Sequence, residues 1–178
     1  GATLSDLQKL VAIPYLAELN LNSSTVASWT SLSNLNSLTS LGLANSNFSN
    51  LALLPAGAKL ESIDLSGTAV TTSNIVTSLN QYRESLKTLT LQGLALSTTA
   101  LTGVNLFNSL QNVDLRNNQL TMIDFLLDLP NLQSVNLQGN PLSNQAYAIT
   151  IPRLQSRGVN VTFTADSSVI SIARTNNT

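Results

Sequence analysis

An apolar residue followed three and five positions later by two more recurs six times: Leu16-Leu19-Leu21, Leu38-Leu41-Leu43, Leu60-Ile63-Leu65, Leu86-Leu89-Leu91, Leu110-Val113-Leu115 and Leu132-Val135-Leu137. The starts lie 22, 22, 26, 24 and 22 residues apart. This period constrains the fold more than any other feature. A unit this short cannot enclose a core alone and buries its apolar face only by stacking on the next copy. In each copy the last two apolar side chains point to one face of a short strand and the residue between them to the other. Stacked copies therefore predict a parallel sheet, strands about 4.8 Å apart, with one leucine-lined face inward and the other in solvent. A degenerate seventh copy is expected in GVNVTF, with Val159 and Val161 in the places of the last two apolar residues.

Three residues beyond the last apolar position the chain must turn out of the strand, and a buried turn leaves backbone groups to be paired. Asn118 and Asn140 hold this place, and an amide supplies both donor and acceptor. The earlier copies have Ser24, Ser46, Thr68 and Leu94 there; Leu94 offers no polar group. The return half of the unit has apolar residues at a period of three, as in Val26-Trp29-Leu32-Leu35-Leu38 and Leu120-Ile123-Leu126-Leu129-Leu132, which suits a 3-10 path better than an α-helix. The two longer units differ. TTSNIVTSLNQYRE (71–84) has helical spacing and predicts a true helix; STTALTGVNLF (97–107) is a weaker version.

These registers spell L-x-x-L-x-L-x-x-N-x-L over residues 16 to about 163, and here the chain resembles the leucine-rich-repeat family, with 22-residue units similar to those of bacterial internalins. The resemblance implies an α/β right-handed solenoid with the parallel sheet on its concave face and 3-10 or short α-helical segments on its convex face. It also implies a protein-binding module of a secreted or surface-exposed bacterial protein. The expected organisation is a helical cap or partial repeat over 1–15, six repeats over 16–142, a capping helix (143–157) and strand within 143–166, and a tail over 167–178 that is a candidate lead into another domain.

Composition removes several functions. The net charge is -1 and the eight Lys/Arg are scattered between Lys9 and Arg174, so no basic patch is present for nucleic acid or an anionic membrane surface. No apolar run approaches a membrane span, and GATLSDLQKL lacks the plan of a signal peptide, so the expectation is a soluble body, mature or excised from a longer chain. Only 10% of residues are charged and about a third are Ser, Thr or Asn, a polar but uncharged surface that favours an exported protein while remaining compatible with the cytoplasm. Without cysteine there are no disulfides or thiolate metal sites, which fits bacterial export.

With neither histidine nor cysteine, Ser-His-Asp, Cys-His and imidazole-metal chemistry are excluded. Asp64 and Asp114 share a mid-strand position two units apart, roughly 10 Å by strand spacing, a separation that only approaches the carboxylate pair of an inverting glycosidase. They read as solvated surface carboxylates. No phosphate loop or calcium loop motif is present, and no enzyme activity, cofactor or metal is expected. The N-x-S/T sequons at Asn22, Asn47, Asn160 and Asn176 are no more than this composition produces. Trp29 sits in the apolar row and reads as core, and Tyr82 and Tyr147 as partly packed.

Function then falls to the outward rows of the sheet. The middle row is expected to run Asn20, Gly42, Asp64, Thr90, Asp114, Asn136 and Asn160, and the next row Asn22, Ala44, Ser66, Gln92, Arg116, Gln138 and Thr162. The late half, with Asp114 and Arg116, is the preferred contact region, and the candidate partner-binding set is Asp64, Thr90, Gln92, Asn112, Asp114, Arg116, Asn136 and Gln138. The leading expectation is a monomeric module binding a protein ligand. A spacer segment with a featureless polar face is the second reading. A glycan site is the third, and it needs an aromatic platform that Tyr82 or Tyr147 would have to supply beside Asp114.

Overall fold

The computed structural model describes residues 2–165. Its strands are β1 (Thr3–Leu4), β2 (Glu18–Asn20), β3 (Thr25–Val26), β4 (Ser40–Gly42), β5 (Ser62–Asp64), β6 (Thr88–Thr90), β7 (Asn112–Asp114), β8 (Ser134–Asn136) and β9 (Asn160–Thr162). Seven of them form one parallel sheet in strict chain order, β2-β4-β5-β6-β7-β8-β9. The register aligns Leu19, Leu41, Ile63, Leu89, Val113 and Val135, as the apolar spacing requires. From Leu41 to Val135 these residues are at most 5% exposed, and each buried side chain stabilises the coil by about 1.5–3 kcal/mol relative to leaving it in water.

The seventh strand pairs differently from the expectation. Val161, not Val159, lies opposite Val135, and Thr162 lies opposite Asn136. The unit therefore reads Gly158-Val161-Phe163: the preceding helix ends at Gly158, with φ +83, and Phe163 packs against the core where a leucine stands in other coils. Thr162 thus belongs to the middle row and Asn160 to the row before it.

The return paths are 3-10 segments over Thr30–Asn34, Leu51–Leu53 and Asp124–Asp128, as the period of three predicts. The expected helix over 71–84 is shorter. Helix α2 (Ile75–Leu79) is flanked by 3-10 turns at Thr72–Asn74 and Asn80–Tyr82, and no side chain caps its N-terminus. The stretch 97–107 is two 3-10 segments, Thr98–Leu101 and Val104–Leu106, parted at Gly103 with φ +90. Trp29 is core: it is 9% exposed, packs edge-on against Phe48 with centroids 5.1 Å apart, and donates to Asn47 Oδ1 at 3.1 Å.

At the N-terminal end, β1 pairs with β3 at the same 22-residue offset that relates β2 to β4, and the short helix α1 (Gln8–Val11) follows it. Residues 3–16 thus lie as the return half of a coil. At the other end the helical run 144–156 contains a π segment, Ala146–Thr150, before α3 (Ile151–Ser156). Pro152 has no N–H to continue the ladder, and the Ile151 N–H reaches back five residues to the Ala146 carbonyl, the widening that accommodates the proline. Arg157 donates to the Leu127 and Leu129 carbonyls at 2.6 and 2.7 Å and ties this helix to the last full coil. The tail expected over 167–178 and the Asn176 sequon lie outside the described residues.

Candidate functional site

The outward face of the sheet is built by backbone accounting. At the end of each strand the N–H two residues past the middle row has no sheet partner on its own coil and needs an acceptor. Where the middle-row residue is Asn or Asp, its own side chain supplies it: Asn20 Oδ1 accepts from Asn22 N–H (3.0 Å), Asp64 Oδ1 from Ser66 (2.9 Å), Asp114 Oδ1 from Arg116 (3.0 Å) and Asn136 Oδ1 from Gln138 (3.2 Å). This is the Asx turn that short polar side chains favour. Gly42 and Thr90 break the pattern, and in both coils the preceding coil compensates. Asn22 Oδ1 accepts from Ala44 N–H at 2.7 Å, and Ser66 Oγ accepts from Gln92 N–H at 3.1 Å.

Behind this face the asparagine turns do a second job. Asn118 is 1% exposed; its amide donates to the carbonyls of Leu91 and Leu115, each at 2.9 Å, and of Arg116 at 3.2 Å. Its Oδ1 accepts from Leu94 and Leu96 N–H at 3.1 and 3.0 Å. The turn at Leu94, which has no polar side chain of its own, is therefore satisfied from the next coil. Asn140 repeats the arrangement, donating to Leu115 and Leu137 and accepting from Leu120 N–H.

Two shallow depressions lie on the concave face. One, of about 270 Å³, is lined in part by Thr90, Asn112, Asp114, Asn136, Asn160 and Thr162; the other, of about 350 Å³, by Glu18, Asn20, Gly42 and Asp64. Within the late half Asp114 and Arg116 are paired to one another, with Arg116 Nη2 to Asp114 Oδ2 at 2.7 Å and Nε to the carboxylate oxygens at 3.0 and 2.9 Å. The hydrogen bond from Asp114 and then its charge, with Asp64 adding, raise the guanidinium above its ordinary pKa against a small desolvation cost. Among the described residues no group of His, Cys, Asp and Glu has the arrangement of a metal site.

A model of leucine-rich repeats in two copies matches residues 108–146. Solved structures extend the likeness to the whole solenoid. An internalin (inlF) from Listeria monocytogenes superposes with a TM-score of 0.66 at 18% identity, over 92% of this chain and 52% of that one. Internalin C2 (inlC2) from the same organism gives 0.61 at 20%, over 90% and 76%. The chain folds as a leucine-rich-repeat solenoid, a fold it shares with these internalins. It spans about half the length of the first of these relatives. No curated protein matches it.

On the solenoid the eight candidate residues do not form one group. Thr90, Asn112, Asp114 and Asn136 line the late depression, Asp64 lines the early one, and Gln92, Arg116 and Gln138 stand in the row beyond, lining neither. All are half-buried except Gln138, which is exposed. The row on the other side of the middle one, Glu18, Ser40, Ser62, Thr88, Asn112, Ser134 and Asn160, lines the depressions as well; sequence reasoning named only Asn112 of it as a candidate and set Asn160 in the middle row. Strand alternation was the available signal, since these residues sit two before the middle row and face the same way. None of the described residues lining the late depression is aromatic. Tyr82 is 1% exposed, its hydroxyl donating to the Pro55 carbonyl at 3.0 Å, and burial pushes its phenol well above the usual range. Tyr147 donates to the Thr164 carbonyl at 2.9 Å and packs on Phe163.

Proposed function

We propose that this solenoid is a non-catalytic protein-interaction module of a secreted or surface-exposed bacterial protein, and that it binds through the concave face of its sheet. One observation carries the reading: a continuous seven-strand face whose outward side chains are polar, half-exposed and arranged in rows, the extended surface that stacked repeats present to partners. The likeness to Listeria internalins and the polar, weakly charged composition support the exported setting. The spacer reading draws on a specific observation too: four middle-row residues are already used by their own strand ends, so polarity alone is no sign of a ligand. The glycan reading lacks a stacking ring among the described residues that line the late depression.

The test is capture of partners from host-cell and bacterial extracts by the wild type beside a Thr88→Arg, Thr90→Arg double variant. These threonines stand mid-face, and their hydroxyls serve no strand end, so the variant keeps the fold's own bonds, as circular dichroism will verify. A partner held by the wild type and lost by the variant supports the concave site. Equal capture by both, or none by either, refutes it.

A further inference from the structure

The two ends of the solenoid are closed differently. At the C-terminal end α3 packs across β9, and Ile151, Leu154, Val159 and Val161 are buried. At the N-terminal end α1 buries none of its four residues, so it does not cover the core as a capping helix would. The second coil repeats the first at an offset of 22 residues and shows what full cover looks like. Val26, Leu32, Leu35, Leu38 and Leu41 are at most 5% exposed; of their counterparts, Leu4, Leu10, Leu16 and Leu19 are half-buried and Ile13 is 47% exposed. The backbone is open in the same place, because β2 is the end strand of the sheet. Ser40 N–H reaches Ala17 O at 3.0 Å and Gly42 O receives Leu21 N–H at 2.8 Å, but their counterparts Glu18 N–H and Asn20 C=O face no neighbouring strand.

The path into the first coil indicates what completes it. Ala2 O accepts from Thr25 N–H at 2.8 Å, as Ser24 O accepts from Asn47 N–H at 3.4 Å one coil later. Ala2 therefore holds the place of Ser24, the turn that follows a strand, and its own N–H donates to Ser24 Oγ at 3.3 Å. A strand leading into that turn falls, by register, on the open edge of β2. We propose that this end is a repeat-to-repeat interface and not a cap: the polypeptide leading into Ala2 carries a further leucine-rich coil. Its strand pairs in parallel with β2, and its apolar residues cover Leu4, Leu10, Ile13, Leu16 and Leu19. The paired demands of the end select this occupant. A helix laid over the apolar row would bury Glu18 N–H and Asn20 C=O without partners, at about 1–3 kcal/mol each, whereas a strand of the repeat covers the row and satisfies both groups.

The first test is the natural sequence upstream of Ala2. Leu16, Leu19 and Leu21 lie eight, five and three positions before Ser24, so apolar residues are expected at the same three distances before Ala2. Their absence overturns the proposal. The second test is amide hydrogen exchange on the protein produced with and without that upstream segment. With it, exchange at Glu18 should slow by at least about tenfold, while the amides of β7 and β8 keep their rates. Aspartate at the last two of those apolar places should return Glu18 to its rate in the shorter protein, and unchanged β7 and β8 amides will verify that the solenoid is still folded. Equal exchange at Glu18 with and without the segment overturns the proposal. So does protection that rises with protein concentration, which would assign the end to a second copy. The capture test of the concave face is independent of these outcomes.

Discussion

Asn118→Ala should be among the most costly single substitutions in the chain, although it removes only an uncharged side chain. The amide is 1% exposed and serves five backbone groups. Leu115 O keeps a second donor, the amide of Asn140. Three buried groups lose the bond that Asn118 gave them: Leu94 N–H, Leu96 N–H and Leu91 C=O. At about 1–3 kcal/mol for each buried group left unpaired, and allowing for water entering a partly opened turn, the loss is about 4 kcal/mol. That is a large share of the roughly 5–15 kcal/mol a domain has in total.

The position also discriminates mechanism from mere burial. Asn118→Ser restores the local bond, because Ser46 and Thr68 donate to Leu43 and Leu65 at the equivalent place. A serine is too short to reach Leu91, Leu94 and Leu96 in the preceding coil, and the Leu115 carbonyl it serves already keeps the Asn140 amide, so most of the loss should remain. Adding Leu94→Thr to that variant gives the preceding coil its own hydroxyl for Leu91 O, and the pair should be less destabilised than the sum of the singles. Urea titrations by circular dichroism measure all four proteins, compared through midpoints at equal slope. A loss below about 1 kcal/mol for Asn118→Ala, or strict additivity of Asn118→Ser with Leu94→Thr, would refute the account of a turn satisfied from its neighbour.

Three further outcomes follow from the same structure. Tyr82 has a folded pKa raised by burial, so its contribution is complete below the unfolded value near 10 and is lost as pH climbs above that; Tyr82→Phe should cost about 1–2 kcal/mol at neutral pH, for the Pro55 carbonyl, yet flatten the alkaline limb of the stability profile. Gly139→Ala should destabilise more than Gly93→Ala in thermal melts: both have φ near +70, but a Cβ at Gly139 would stand 2.2 Å from Asn117 Oδ1, whereas at Gly93 nothing lies within 4 Å and only the backbone cost of about 1 kcal/mol applies. Asp64→Ala should lose about 1 kcal/mol relative to Asp64→Asn in urea titrations, since only alanine leaves Ser66 N–H without its acceptor.

The solenoid was legible because a period is a long-range statement written locally. Leu41, Ile63, Leu89, Val113 and Val135 must fall in register once the copies stack, and they do. Asn118 and Asn140 were legible for the same reason. What the period cannot encode is a bond between coils that replaces one within a coil. Leu94 is an exception to the pattern whose remedy sits 24 residues away, in the side chain of Asn118. The seventh register was misplaced because valine occurs at both 159 and 161, and choosing between them requires the helix stop at Gly158. The α-helix expected over 71–84 shrank to five residues because the flanking turns tighten into 3-10 form, a tertiary fit that spacing does not specify.

The candidate site was harder to read for a different reason. Asn and Asp on the outward row look like ligands-in-waiting, yet each closes its own strand end, so their chemistry is required by the fold whether or not anything binds. The informative positions are the exceptions. Thr90 is compensated by Ser66, a short side chain that fills little space. Gly42 is compensated by Asn22, whose amide oxygen occupies the room the glycine leaves, 2.9 Å from where a Cβ would stand. The same backbone need is thus met in two ways, by a hydroxyl in one coil and by an amide in the other, while a shallow depression lies in each half of the face. A difference that the fold does not demand is where selection for a partner has room to act.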